Sequence, residues 1–146
     1  MANVYAFDNL LRNLDRGGFR KKPNLLVRDD SFLLIDHEQI FPFADDPDYY
    51  NDAPIQGFRQ GKWVYPYEVH LFYPYLSNLP GERKTKIFST FVERLNHFSP
   101  SIIEDLAQWL SENAQSVGNV ELIVDYLTAV QGAPNAFAIL LQKQLK

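Results

Sequence analysis

Apolar residues at the start of the chain fall at Val4, Phe7, Leu11 and Leu14. Spacings of three and four put them on one stripe of a helix and predict a short helix ending near Asn13. The next stretch, "NLDRGGFRKKP", carries two adjacent glycines, four basic residues and a proline, and reads as a loop. Then "NLLV" and "FLLID" form two short apolar runs separated by "RDDS", whose Asp and Ser side chains bond nearby backbone. That combination predicts a small hairpin. From Phe41 to Leu79 the periodicity is lost. Five prolines, many aromatics and the acidic patch "DDPDYYND" predict a long irregular segment pinned by ring packing. From Lys84 onward helical spacing returns, with stripes at Phe88, Phe91, Val92 and Leu95, and at Ile103, Leu106, Ala107 and Leu110. "SPSIIED" places Ser99 as an N-cap and Pro100 at the first helical position. Asn119 caps a further helix bearing Val120, Ile123, Val124 and Leu127, and Pro134 restarts a last one. The expected fold is α+β and mostly α: a helix, a small β-hairpin, a long irregular aromatic segment, then about four helices.

Composition narrows this picture. At 146 residues the chain suits one domain, 1–146, able to bury a core without staples. The absence of cysteine excludes a disulfide framework or a thiolate metal site and fits a reducing cytoplasm. No apolar run approaches the length of a membrane span, and "MANVYAFDNLL" lacks the basic flank of a signal peptide. A net charge of -4 gives no reason to expect direct nucleic-acid binding, Arg20, Lys21 and Lys22 forming only a local basic cluster.

The candidate chemistry lies in residues 8 to 41, where Asp15, Asn24 and Asp36 stand among apolar positions. Phosphoryl transfer needs a carboxylate to receive the hydroxyl proton and oxygen ligands to hold magnesium against nucleotide phosphates. Asp15 falls in the loop before the first strand, Asn24 at that strand's start and Asp36 at the end of the second. Antiparallel pairing brings Asn24 and Asp36 to the same end of the hairpin.

With these residues in view, "NLDR", "NLLV" and "LLIDHEQIF" resemble the catalytic and metal-binding loops of the HipA-like kinases and, more distantly, of the phosphoinositide lipid kinases. "VHLFYPYL" and the helical remainder are similar to the C-terminal lobe of the HipA-like family. The resemblance implies a kinase-like C-lobe with Asp15 as catalytic base and Asn24 and Asp36 as magnesium ligands. It also implies ATP as phosphate donor and a protein hydroxyl as acceptor. Arg16 matches the arginine after the base. It is carried, with Lys21 and Lys22, as a candidate phosphate or substrate contact. His37 and Glu38 stand where protein kinases have Phe and Gly.

The sequence departs from the pattern twice. The usual base-to-Asn spacing is five residues, whereas Asp15 and Asn24 are nine apart. The 14 residues before Asp15 hold no Gly-rich phosphate loop and no strand lysine. The expectation is therefore a lobe completed by an N-lobe chain, or a homodimer, over an uncovered apolar face, and inactive in isolation. A small helix-turn-helix neighbour in the genome would point to a toxin–antitoxin pair. The alternative is a non-catalytic kinase-like scaffold, and behind it an unrelated helical binding protein.

Other features read plainly. "DDPDYYND" lacks the spacing of a calcium loop and suits a solvated acidic turn. His37, His70 and His97 are too dispersed for a metal motif, and His70 suits a hydrogen-bonded core position. Gly17 and Gly18 read as loop flexibility. The Trp63 to Tyr75 aromatics suit packing rather than a groove. No Ser or Thr lies between Asp36 and Leu76, so Ser/Thr phosphorylation cannot act there.

Overall fold

The computed structural model describes residues 1–17, 22–29, 31–113 and 118–146. The first helix, α1 (Ala2–Leu11), ends on Arg12 in the left-handed conformation. Its deepest residues are Tyr5, Ala6 and Leu10 together with the polar Asp8 and Asn9. Val4, Phe7 and Leu11, the stripe read from the sequence, are only half-buried. The helix is therefore packed on a face rotated from that stripe, because buried Asp8 finds internal partners.

Strands β1 (Leu25–Arg28) and β2 (Ser31–Leu34) pair antiparallel, Leu25 opposite Leu34 and Arg28 opposite Ser31. Asp29 takes the left-handed conformation at the turn, and Ser31 Oγ donates to the Arg28 carbonyl. The ladder continues one step past the strands, Ile35 N–H donating to the Asn24 carbonyl at 3.1 Å. The hairpin is largely uncovered: Leu26, Val27 and Leu33 are each more than half exposed.

The segment expected to be irregular is a series of short helices. They are α2 (Pro42–Asp45), a 3-10 turn at Pro47–Tyr49, α3 (Ala53–Arg59), a second 3-10 turn at Tyr67–Val69, and α4 (Tyr73–Ser77). Prolines that read as breakers sit in the first turn of four of these elements, where the missing N–H costs nothing. Ring packing does fix the segment. Trp63 stacks on Tyr126 at 6.2 Å and meets Phe137 edge-on at 5.1 Å and Phe58 edge-on at 6.0 Å.

Among the described residues five helices follow, where about four were expected: α5 (Gly81–Lys86), α6 (Ser89–His97), α7 (Ser101–Glu112), α8 (Val120–Gln131) and α9 (Pro134–Gln144). Asn119 caps α8, its side chain accepting the Leu122 N–H at 3.0 Å. At α7 the cap position falls to Pro100, one residue later than read, and Ser99 Oγ pairs with Ser101 Oγ instead. Of the expected α7 stripe, Leu106 is exposed and Ile103, Ala107 and Leu110 are half-buried against α8.

The core lies where α1, α6, α8 and α9 meet, around Tyr5, Phe88, Tyr126, Val130, Phe137 and Leu141. Two tyrosines tie it to backbone and amide: Tyr126 O–H donates to the Leu10 carbonyl, and Tyr5 O–H to Gln144 Oε1. Burial raises the pKa of both phenols, so they remain protonated donors. The architecture is mostly helical with one small antiparallel hairpin at the edge. Among the described residues no helix is long and apolar enough to cross a membrane.

Candidate metal centre

The site is built on a buried polar hub at the end of α1. Asp8 is fully buried, and three side chains donate to it: Asn13 Nδ2 at 2.9 Å, Arg16 Nε at 2.6 Å and His70 Nε2 at 3.0 Å. Burial by itself would raise the Asp8 carboxyl. The hydrogen bonds from His70 and Arg16 outweigh it and hold the group below its ordinary value. His70 Nδ1 accepts the Phe72 N–H, which leaves Nε2 to carry the proton toward Asp8. His70 is thus the hydrogen-bonded core histidine its sequence context suggests.

Arg16 carries the order of this hub outward. Its Nη1 donates to the backbone carbonyls of Pro23 and Asn24, and its Nη2 meets His37 Nε2 at 3.1 Å. With its side chain shielded from solvent and all three nitrogens engaged, Arg16 braces the loop from inside. The phosphate or substrate contact expected of it would require one of these nitrogens to be released. Lys22 is exposed at the surface, whereas Lys21 lies outside the described residues.

The loop between α1 and β1 is closely fitted at its described end. Gly17 N–H donates to the Lys22 carbonyl, and the Leu71 N–H donates to the Arg16 carbonyl at 3.1 Å. Gly17 has a φ of +82°, and a Cβ there would stand 2.7 Å from the Leu71 nitrogen. This glycine serves close backbone approach rather than the flexibility expected of it. Gly18 lies outside the described residues.

Two further backbone bonds brace the loop carrying Asp15 against the one carrying Asp36. Leu14 N–H donates to the Gln39 carbonyl at 3.2 Å, and Phe41 N–H to the Leu11 carbonyl at 2.8 Å. The result brings together Asp15, Asp36 and Glu38, which each offer a carboxylate oxygen within 4.8 Å of the others. Asn24 joins from the hairpin, its Nδ2 donating to Asp15 Oδ2 at 2.7 Å. Asn24 precedes β1 and Asp36 follows β2 by two residues, and both have left-handed backbone, at φ 43° and 56°. Asn and Asp accept that conformation better than other residues with a Cβ.

Of the residues singled out from sequence, Asp15, Asn24 and Asp36 are gathered at the open end of the hairpin. Glu38 is the member that pattern reading missed. Its signal was present in the Asp-x-Glu spacing after β2, which folds two acids toward one point when the chain turns there. The donor set fits a hard divalent cation: three carboxylates plus the Asn24 Oδ1 carbonyl, which has no hydrogen-bond partner among the described residues. Three clustered carboxylates with one amide donor between them carry negative charge that a cation offsets. Comparisons of the chain with protein-family models, with curated proteins and with solved structures find no match.

Proposed function

We propose that the chain is the metal-binding and catalytic-loop lobe of a HipA-like kinase, whose activity requires a nucleotide-clamping lobe supplied by another segment or chain. The observation that carries this reading is the convergence of Asp15, Asp36 and Glu38 with Asn24 at the end of the hairpin. A divalent cation held there would supply positive charge to the phosphates of ATP. The protein's own part is positional. Asn24 occupies Asp15 Oδ2 and leaves Oδ1 to receive the proton of an acceptor Ser or Thr hydroxyl on a protein substrate. Asp36 and Glu38 would hold the cation, with Asn24 Oδ1 as a further ligand. The absence of cysteine supports a cytoplasmic setting for this chemistry.

A second reading, a non-catalytic kinase-like scaffold, draws on the hairpin. Leu26, Val27, Phe32 and Leu33, with Ile35 just past β2, are exposed on a two-stranded sheet whose edges are both unpaired among the described residues. In the first reading this surface seats the completing lobe; in the second it seats a binding partner or a second copy.

Magnesium titration followed by amide NMR tests the site. The Asn24 side-chain amide and the backbone of Asp36 and Glu38 shift on titration, and Asp36→Ala weakens the effect about tenfold or more. Unchanged spectra at millimolar magnesium would overturn the reading. To separate kinase from scaffold, Asp36→Ala is assayed in the complete complex. Loss of phosphotransfer with the complex intact supports the kinase, and unaltered biological activity supports the scaffold.

A further inference from the structure

Helices α1, α6 and the start of α7 enclose a half-open cavity of about 620 Å3, bordered also by Leu34 and Ile40 on either side of the loop that carries Asp36 and Glu38. Its wall is formed by Val4, Phe7 and Leu11 of α1, Phe91 and Leu95 of α6, and Ile103 of α7. The volume lies within the range of small-molecule sites, about 300–1,000 Å3. The α1 stripe that the sequence marks as core is left half-wet here, because the groove holds no side chain of the described residues against it. The polar side chains in this wall are Arg94 and Asn3. Arg94 is exposed and makes no ion pair or hydrogen bond among the described residues. It also borders an adjoining shallow hollow with Thr90, Glu93 and His97, so the apolar slot opens directly onto a polar rim.

The geometry points to a binding site for an amphiphilic carboxylate, an unbranched fatty-acid-type chain lying along α1 with its carboxylate on Arg94. The slot matches the alkyl chain by its lining, and the unpaired guanidinium matches the head by its charge. A second copy of this chain could also cover the slot, and oligomeric state distinguishes that occupant.

The test is calorimetric titration of the whole chain with octanoate, decanoate and laurate, with decanol as the uncharged control. Affinity is expected to rise about fourfold per added methylene, the equivalent of burying each in apolar surroundings. Arg94→Gln, at an exposed side chain, weakens decanoate about fivefold and leaves decanol unchanged. Ile103→Trp fills the slot and abolishes binding of both, with helical circular dichroism checking that the variant folds. If it does not fold, the chain-length series and Arg94→Gln decide alone. Affinity independent of chain length, or decanoate binding indifferent to Arg94→Gln, overturns the proposal. So does a dimer in sedimentation that decanoate does not dissociate.

Discussion

Asp8 and Asp36 are carboxylates at two ends of one connected structure, and their surroundings are opposite. Asp8 has no exposure and three donors; Asp36 is exposed and shares a small volume with Asp15 and Glu38. The inner acid is stabilised by what surrounds it, and the outer ones repel one another. The contrast separates a group that holds the fold from groups that stand open to solvent. Arg16 joins the two regions, since it binds Asp8 with one nitrogen and the backbone of Asn24 with another.

The largest effect expected on this contrast is from Asp8→Ala. It leaves the buried Arg16 guanidinium and the His70 N–H without their acceptor, at a cost of about 3–5 kcal/mol. Urea unfolding measures it, and a loss below about 1 kcal/mol would break the distinction.

Next in size is the response to acid. The folded Asp8 pKa is held below the 3.8 of the free side chain, so its contribution is fully present above that value. It is lost as pH falls below 3.8 toward the folded pKa. Stability measured across this range should fall more steeply in the native chain than in Asp8→Asn.

Asp36→Asn, by contrast, should change stability by no more than about 0.5 kcal/mol. It keeps a residue type that tolerates a positive φ and removes one of three like charges. Thermal melting without added metal is the readout. A large loss would mean that the outer acids also hold the fold. The smallest effect is expected from Leu33→Lys. Leu33 is 62% exposed, so melting should scarcely change while self-association or partner capture through the hairpin decreases.

Local chemistry was the most legible part of the sequence. The Asn119 cap, the Pro134 restart and the hairpin with its Asp turn each depend on a few adjacent residues, and each lies close to where the pattern placed it. The short helices between Phe41 and Leu79 were hidden because proline carries two meanings, breaker and first-turn residue. Which one applies depends on packing against α8 and α9 that spacing does not reveal. The rotation of α1 was hidden for a related reason. Asp8 and Asn9 read as surface residues until Arg16, His70 and Asn13 arrive from elsewhere in the chain to satisfy Asp8. The gathering of Asp15, Asn24 and Asp36 could be anticipated from antiparallel pairing, whereas Glu38 and the inward turn of Arg16 required the fold.

The left-handed backbone at Asn24 and Asp36 has an evolutionary consequence. At each position the main chain accepts Asn, Asp or Gly far more readily than other residues, while the side chain supplies a donor or an oxygen. A lineage in which the proposed cation site no longer mattered would therefore drift toward glycine at 24 and 36 rather than toward alanine. Asp15 and Glu38, outside the set of positive-φ residues, would vary freely. The identity of the replacements, more than their number, would record whether the site was lost by relaxation or kept under selection.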